Sequence, residues 1–291
     1  MNYEIYVDMS LDIDPKIAEE YGIRFVPMEY MLGGETFRAT GPESDERMHN
    51  FYESMRQNIP TKTSQITPYQ YEELFGPLVK EGTAILYIAL SSGLSKTYES
   101  ALLAVETMKE EYENVRIEVI DSLSATGGMG MLAEAAAKNR NAGMTLEENA
   151  AWLRDNLTYL NHWFMVEDLV YLRRGGRISA ATAIVGTALN IKPLLTIDAE
   201  GKLVSVANKR GSKQAMRALA DYYKTRFDPK FGNAAYICCA DCKDAAEELK
   251  AMVLKLNPDA DVRITMLCPV IGAHTGPGML SLIFWGAATE K

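Results

Sequence analysis

Thr83 to Leu90 is an almost wholly apolar strand-forming run, and Lys96 to Tyr112 directly after it places Ala101, Leu102, Val105 and Met108 on one helical face. A strand without a polar face must be covered on both sides, and an amphipathic helix following it is the cover that a parallel sheet uses. The same order recurs around it. Tyr3 to Val7 is a strand, Pro15 to Tyr21 a short polar helix, Ile23 to Leu32 a second strand, and Val115 to Ile120 another. Strands alternating with helices restrict this half to a parallel, helix-covered α/β sheet of Rossmann-like type.

The remaining elements fill in that frame. Gly41-Pro42 breaks the chain, and Ser44 before Asp45 and Glu46 starts a helix with Met48, Phe51, Tyr52 and Met55 on its inner face. Thr67-Pro68-Tyr69-Gln70 is a capping box with proline at the first helical position. It opens a helix to Lys80 that buries Tyr71, Leu74, Phe75 and Leu78, which leaves Thr63-Ser64-Gln65 in a loop. Helical stretches at 125–141 and 145–160 complete the half.

The rhythm changes near Asn161, so the expected lobes are 1–160 and 161–291. The second lobe reads as α+β with a mixed sheet. Its expected elements are a strand at Trp163 to Val166, a helix into Leu172, a break at Gly175-Gly176 and a helix near Ala181 to Leu189. Strands at Pro193 to Ile197 and Leu203 to Ala207 follow, joined by a turn at Asp198-Ala199-Glu200-Gly201. A helix at 212–226, a strand at 235–239, a helix at 244–256 and strands at 262–267 and 280–285 end the chain.

Composition narrows the function. A chain of 291 residues with 47% hydrophobic composition has material for two cores. Its net charge of -9 has the wrong sign for a phosphate-neutralising surface, which argues against nucleic acid as a partner. Four cysteines, three of them at Cys238, Cys239 and Cys242, do not make a secreted disulfide framework and fit a reducing cytoplasm. The start lacks a signal-peptide pattern, and no apolar run reaches membrane-spanning length, so no integral membrane protein is expected. Fifteen methionines and fifteen tyrosines suit either an ordinary core or an irregular apolar cavity.

Three loops carry the chemistry. Ser91-Ser92-Gly93-Leu94-Ser95 joins a buried strand to a helix, where a parallel sheet gathers its ligands and helix N–H groups favour an anion. Ser95 either caps that helix or joins an anion cradle. Thr63-Ser64-Gln65 enters another helix, and its hydroxyls either converge on the same edge or form a solvated turn. Gly272-Ala273-His274-Thr275-Gly276-Pro277-Gly278 surrounds one histidine with glycines, which marks a sharp turn or a close approach. Of the three histidines, His274 is the expected ligand contact; His49 falls on a surface helix, and His162 is ambiguous.

Other patterns point elsewhere. Gly128-Met129-Gly130-Met131-Leu132-Ala133 has the dinucleotide spacing, but residues 121–127 separate it from its strand and a second helix follows it. No phosphate-binding P-loop occurs, and neither a cofactor nor a metal is expected. Cys239-Ala240-Asp241-Cys242 lacks a second pair and reads as small buried side chains at a strand end, with any redox role open. Arg173-Arg174-Gly175-Gly176-Arg177 is either a phosphate grip or a basic helix end.

These segments resemble the DegV family of bacterial fatty-acid-binding proteins. The resemblance rests on Thr63-Ser64-Gln65, on Leu90 to Ser95 with Thr97-Tyr98, on Gly175-Gly176-Arg177-Ile178-Ser179, on Ile191-Lys192-Pro193 and on Ala273-His274-Thr275-Gly276, in the family's order. It implies a two-lobed α/β protein that holds one long-chain fatty acid in an apolar tunnel. Such a protein is a carrier, not an enzyme, and presents the acid's carboxyl group to a separate fatty acid kinase. By the same resemblance Thr63 and Ser95 bond the carboxylate, Ser92 and the backbone of Gly93 and Leu94 add donors, His274 completes the mouth, and Arg210 supplies a basic residue. Asp8-Met9-Ser10 and Lys96 depart from the family's usual pattern. The alternatives are a Ser-His acyl ester hydrolase and a sensor of a small phosphorylated metabolite.

Overall fold

The apolar run at 84–89 lies inside a parallel sheet, as its composition requires. A computed structural model of the protein describes residues 3–179 and 190–289. The first half gives β1 (Tyr3–Asp8), α1 (Pro15–Glu20), β2 (Ile23–Val26), β3 (Met28–Leu32), β4 (Glu35–Ala39), α2 (Asp45–Arg56) and β5 (Thr61–Ser64). It continues with α3 (Pro68–Lys80), β6 (Ala84–Ala89), α4 (Thr97–Glu111), β7 (Ile117–Asp121), α5 (Gly127–Asn141) and α6 (Leu146–Asn156). Strands β2-β1-β6-β7 pair in parallel, and every residue of β6 is buried.

The second half gives β8 (Leu160–Met165), α7 (Val170–Arg174), β9 (Ile191–Ile197), β10 (Leu203–Arg210) and α8 (Ser212–Arg226). Then come β11 (Ala234–Cys239), α9 (Lys243–Leu256), β12 (Asp261–Met266), α10 (Pro269–Thr275) and β13 (Leu280–Trp285). They form a mixed sheet in the order β10-β9-β8-β13-β11-β12, with β11 and β12 parallel and the other neighbours antiparallel. The two-lobed α/β reading therefore stands. In the expected β9–β10 hairpin, Asp198 Oδ1 accepts from the N–H groups of Glu200 at 3.0 Å and Lys202 at 2.9 Å. The helix expected from Ala181 to Leu189 lies outside the described residues.

Two expectations are corrected. The strand from Ile23 to Leu32 is two strands: β2 stays with the parallel sheet, whereas β3 pairs antiparallel with β4 and β5 in a separate sheet. Pro27 stands at the break, and having no N–H it cannot continue a ladder. Gly33 and Gly34, at φ of 62° and 94°, supply the two left-handed residues of a tight hairpin. Thr63 and Ser64 belong to β5 instead of a loop, with Thr63 opposite Tyr30.

Helix α5 is buried on nearly all sides because it lies between the two large sheets, touching β1 and β6 on one side and β11 and β13 on the other. Its glycines explain how it gets so close. A Cβ on Gly128 would stand 2.0 Å from His162 Cε1 and 2.4 Å from Ser124 Oγ. The dinucleotide-like spacing is thus a packing motif between lobes. Polar ties reinforce the seam: Tyr52 donates to Leu267 O at 2.9 Å, and Glu134 of α5 pairs with Arg263 of β12 at 2.5 Å.

Gly128→Ala is expected to destabilise the protein by about 1–3 kcal/mol through overpacking. Gly41→Ala, whose Cβ meets nothing nearer than 3.8 Å, serves as the control and should stay within about 0.5 kcal/mol. Urea unfolding of both variants checks the difference.

Candidate functional site

The serine turn is positioned by carboxylates at the ends of the parallel strands, Asp8 buried and Asp121 half-buried. Asp8 Oδ2, at the end of β1, accepts from Leu90 N at 2.7 Å and Tyr87 OH at 3.1 Å, while Oδ1 accepts from Ser10 N at 3.1 Å and from Ser10 Oγ. Asp121, at the end of β7, accepts from Ser92 N at 3.0 Å and Leu123 N at 3.2 Å.

Within the turn the backbone donors are already engaged, contrary to the expected role of Gly93 and Leu94. Gly93 N–H goes to Ser91 Oγ at 3.1 Å, and those of Leu94 and Ser95 both go to Ser91 O at 3.0 Å. Ser91 Oγ in turn donates to Gly201 O at 2.8 Å, which holds the β9–β10 turn against the serine turn. A Cβ on Gly93 would lie 2.6 Å from the Gly201 carbonyl, so this glycine admits the hairpin. Ser95 Oγ accepts from Thr97 N at 3.2 Å and shares a hydrogen bond with Thr97 Oγ1 at 2.8 Å, so it caps its helix while facing the cavity.

The histidine loop is the C-terminal end of α10, packed against β3 and β5. His274 Nε2 lies 2.7 Å from Thr63 Oγ1, and Gly175 leaves room for the other side of the ring. Arg177 reaches in beside it, donating from Nε to Leu94 O at 3.0 Å and from Nη1 to Gly175 O. Burial and then the Arg177 charge push His274 down to about 4, so the imidazole is neutral at pH 7. Arg177 has no acidic partner among the described residues.

These groups rim one end of a cavity of about 570 Å³. Thr63, Ser92, Gly93, Leu94, Ser95, Lys96, Arg177, Lys202 and His274 give it a polar and cationic border. Its body is mostly apolar, with Leu90, Phe164, Leu172, Ile197, Leu203, Val270, Met279 and Ile283, together with the buried His162. The structure thus brings six of the expected site residues together and leaves out Arg210. Arg210 is exposed at the far end of β10, opposite Ile191, whereas Leu203 at the start of that strand lines the cavity. Seven residues of strand separate them, roughly 23 Å.

From sequence, Arg177 figures only within a phosphate grip or basic helix end, and His162 is ambiguous. The pair Gly175-Gly176 before Arg177 was the available signal: Gly176, at φ of 73°, turns the chain back after α7 so that Arg177 reaches Leu94. His162 offered none, because a strand's inward face becomes a cavity wall only after the sheets are stacked. Cys238 and Cys239 are buried at the end of β11 as expected, and burial pushes the Cys238 thiol up to about 12. Among the described residues, His49, Glu53 and Asp241 are the one cluster with metal-ligating spacing, and Arg56 bridges Glu53 and Asp241 there.

Burial shapes the pH response. His162 is pushed down from 6.5 to about 3, so it binds fewer protons folded than unfolded, and stability falls as pH drops below 6.5. Asp12, pushed up to about 7 by burial, acts oppositely and loses stability as pH rises toward 7. Between pH 7 and pH 5, the change in thermal midpoint should shift upward relative to the wild type in His162→Gln and downward in Asp12→Asn.

Comparison with known proteins agrees with this architecture. Residues 2–286 match the family model described as "Uncharacterised protein, DegV family". A DegV domain-containing protein of Clostridium perfringens is 32% identical over 288 residues, covering 99% of each chain. Among solved structures, a DegV family protein from Thermus thermophilus, described by its fatty acid binding, superposes with a TM-score of 0.84 at 27% identity, over 98% of this chain and 100% of that one. The fatty acid kinase (Fak) B3 protein of Streptococcus pneumoniae, loaded with linoleic acid, shares the fold at 23% identity and a TM-score of 0.84, over 98% of this chain and 99% of that one. With the match running along nearly its whole length, the chain belongs to the DegV family.

Proposed function

We propose that the protein is a carrier for one long-chain fatty acid, holding the tail in the cavity and the carboxylate at its rim, and that it performs no chemistry on the acid itself. The observation that carries this reading is Arg177, a half-buried cation with no acidic partner among the described residues, beside the Thr63–His274 pair at the rim of a mostly apolar cavity. A partly desolvated guanidinium calls for an anion, and the cavity wall calls for an alkyl chain. At roughly 0.8 kcal/mol per buried methylene, about fifteen methylenes offer on the order of 12 kcal/mol before the cost of ordering the ligand. The tail then supplies affinity, and the rim supplies orientation. Thr63, Ser92, Ser95 and His274 are the neutral groups proposed to face the carboxylate.

The further step, presentation of that carboxyl to a fatty acid kinase in the cytoplasm, draws support from the fold shared with the Fak B3 protein. A carboxylate held by hydroxyls and one guanidinium at an open rim leaves an oxygen for a phosphoryl donor. The hydrolase alternative loses its geometry: His274 bonds Thr63, and Ser95 bonds Thr97. The metabolite sensor is disfavoured by the apolar cavity body.

Protein purified under mild conditions, extracted and examined by mass spectrometry, should contain or take up a fatty acid; protein that does neither would sink the carrier reading. Arg177→Gln and Thr63→Ala, each folded by circular dichroism, should bind the acid about tenfold more weakly. Unchanged binding in the double variant would move the carboxylate to another site.

A further inference from the structure

Helix α5 starts without the groups that ordinarily complete a helix N-terminus. It runs for 15 residues, has no acidic residue in its first turn, and its N-cap residue, Thr126, makes no side-chain cap hydrogen bond. A threonine in that position ordinarily accepts from the second or third amide of the helix. Here Thr126 stands at φ of 56° and ψ of -135°, a conformation that glycine adopts freely and a β-branched residue does not.

The surrounding chain enforces that conformation. Thr126 N–H donates to Ser10 O at 2.9 Å, and Thr126 O accepts from Met129 N at 3.1 Å and Gly130 N at 3.3 Å. The start of α5 has no room to shift, because a Cβ on Gly127 would already stand 2.7 Å from Cys238 Sγ and one on Gly130 2.4 Å from Asp12 O. Strain that the surroundings over-determine in this way collects at binding sites. Thr126 lines the cavity, is 4% exposed, and its hydroxyl has no hydrogen-bond partner among the described residues.

The residue also lies beside the serine turn. Ser124 O accepts from Ser91 N at 3.1 Å, and two residues of chain, at most about 7 Å, separate Ser124 from Thr126. The partial positive charge of an uncapped helix end and a free hydroxyl both favour an anion, and the anion of a fatty acid is its carboxylate. Resting on the carrier reading above, we propose that Thr126 and the N-terminus of α5 form a further anchor for that carboxylate, with Thr126 Oγ1 donating to one of its oxygens. The ligand then supplies the negative charge that the start of α5 lacks, and the strained backbone is what keeps the hydroxyl turned toward the ligand instead of toward the helix.

The test uses the full chain, stripped of lipid and titrated with palmitic acid and with hexadecanol, which has the same length of tail and no charge. Thr126→Val keeps the shape and removes the hydroxyl; it should weaken palmitic acid about tenfold and hexadecanol by no more than about twofold. Thr126→Ser, which keeps the hydroxyl, should bind palmitic acid within about threefold of the wild type. Thr126→Gly, which removes hydroxyl and strain together, should bind palmitic acid as weakly as the valine variant while raising the unfolding midpoint of the lipid-free protein. Unchanged palmitic acid binding in Thr126→Val, equal losses for acid and alcohol, a serine variant as weak as the valine one, or a lowered midpoint in Thr126→Gly would overturn the inference and leave the carrier reading intact. Failure of the wild-type protein to bind palmitic acid would overturn both.

Discussion

The site depends first on a carboxylate that never meets solvent. Asp8 is fully buried, and burial raises its pKa against four hydrogen bonds that hold it down. Those bonds come from its own strand end and from β6, so one side chain fixes where β1 stops and in which direction β6 leaves the sheet. Leu90 N–H is the last of these donors, and the serine turn starts at the next residue. Ser91 then holds the β9–β10 turn. A buried polar group that loses a partner is costly, which makes this a chain of dependence from the core of one sheet to the cover of the cavity.

Much of the framework was legible because each element announced itself locally. The capping box at Thr67 and the apolar β6 are properties of a few adjacent residues and form as read, and the α4 stripe does so at Ala101, Val105 and Met108 but not at Leu102, which is exposed while Ala104 is buried. The break at Pro27 and the hairpin at Gly33-Gly34 had local signals too, outweighed by a continuous strand pattern. The site was legible in part. Thr63 and His274 stand apart in sequence by most of the chain, yet each lies in a short stretch of hydroxyl or glycine residues that sequence reading can flag, although the structure makes one a strand and the other a helix end. The exclusion of Arg210 was not legible, because it depends on how far a strand runs after leaving the cavity.

Glycine had a different meaning from the one its positions suggested. At Gly93 and Gly128 the missing side chain makes room for another part of the same protein, a hairpin turn in one case and an imidazole in the other. Close approach between lobes leaves the same trace in sequence as close approach to a phosphate. Only the elements on the two sides of the glycine tell them apart, and here they are a helix between two sheets.

The cationic border of the cavity acts over a particular range. The chain as a whole carries a net charge of -9, while Lys96, Arg177 and Lys202 gather at one opening. At physiological salt the screening length is about 8 Å, so the three cations govern only what comes within a few bond lengths of the rim. An extended anionic surface meets the repulsion of the whole molecule first, and a single small anion that diffuses to the opening meets the cations alone. The same distribution therefore turns away a charged bilayer and receives one carboxylate, and raising the salt weakens the first effect before the partly buried second.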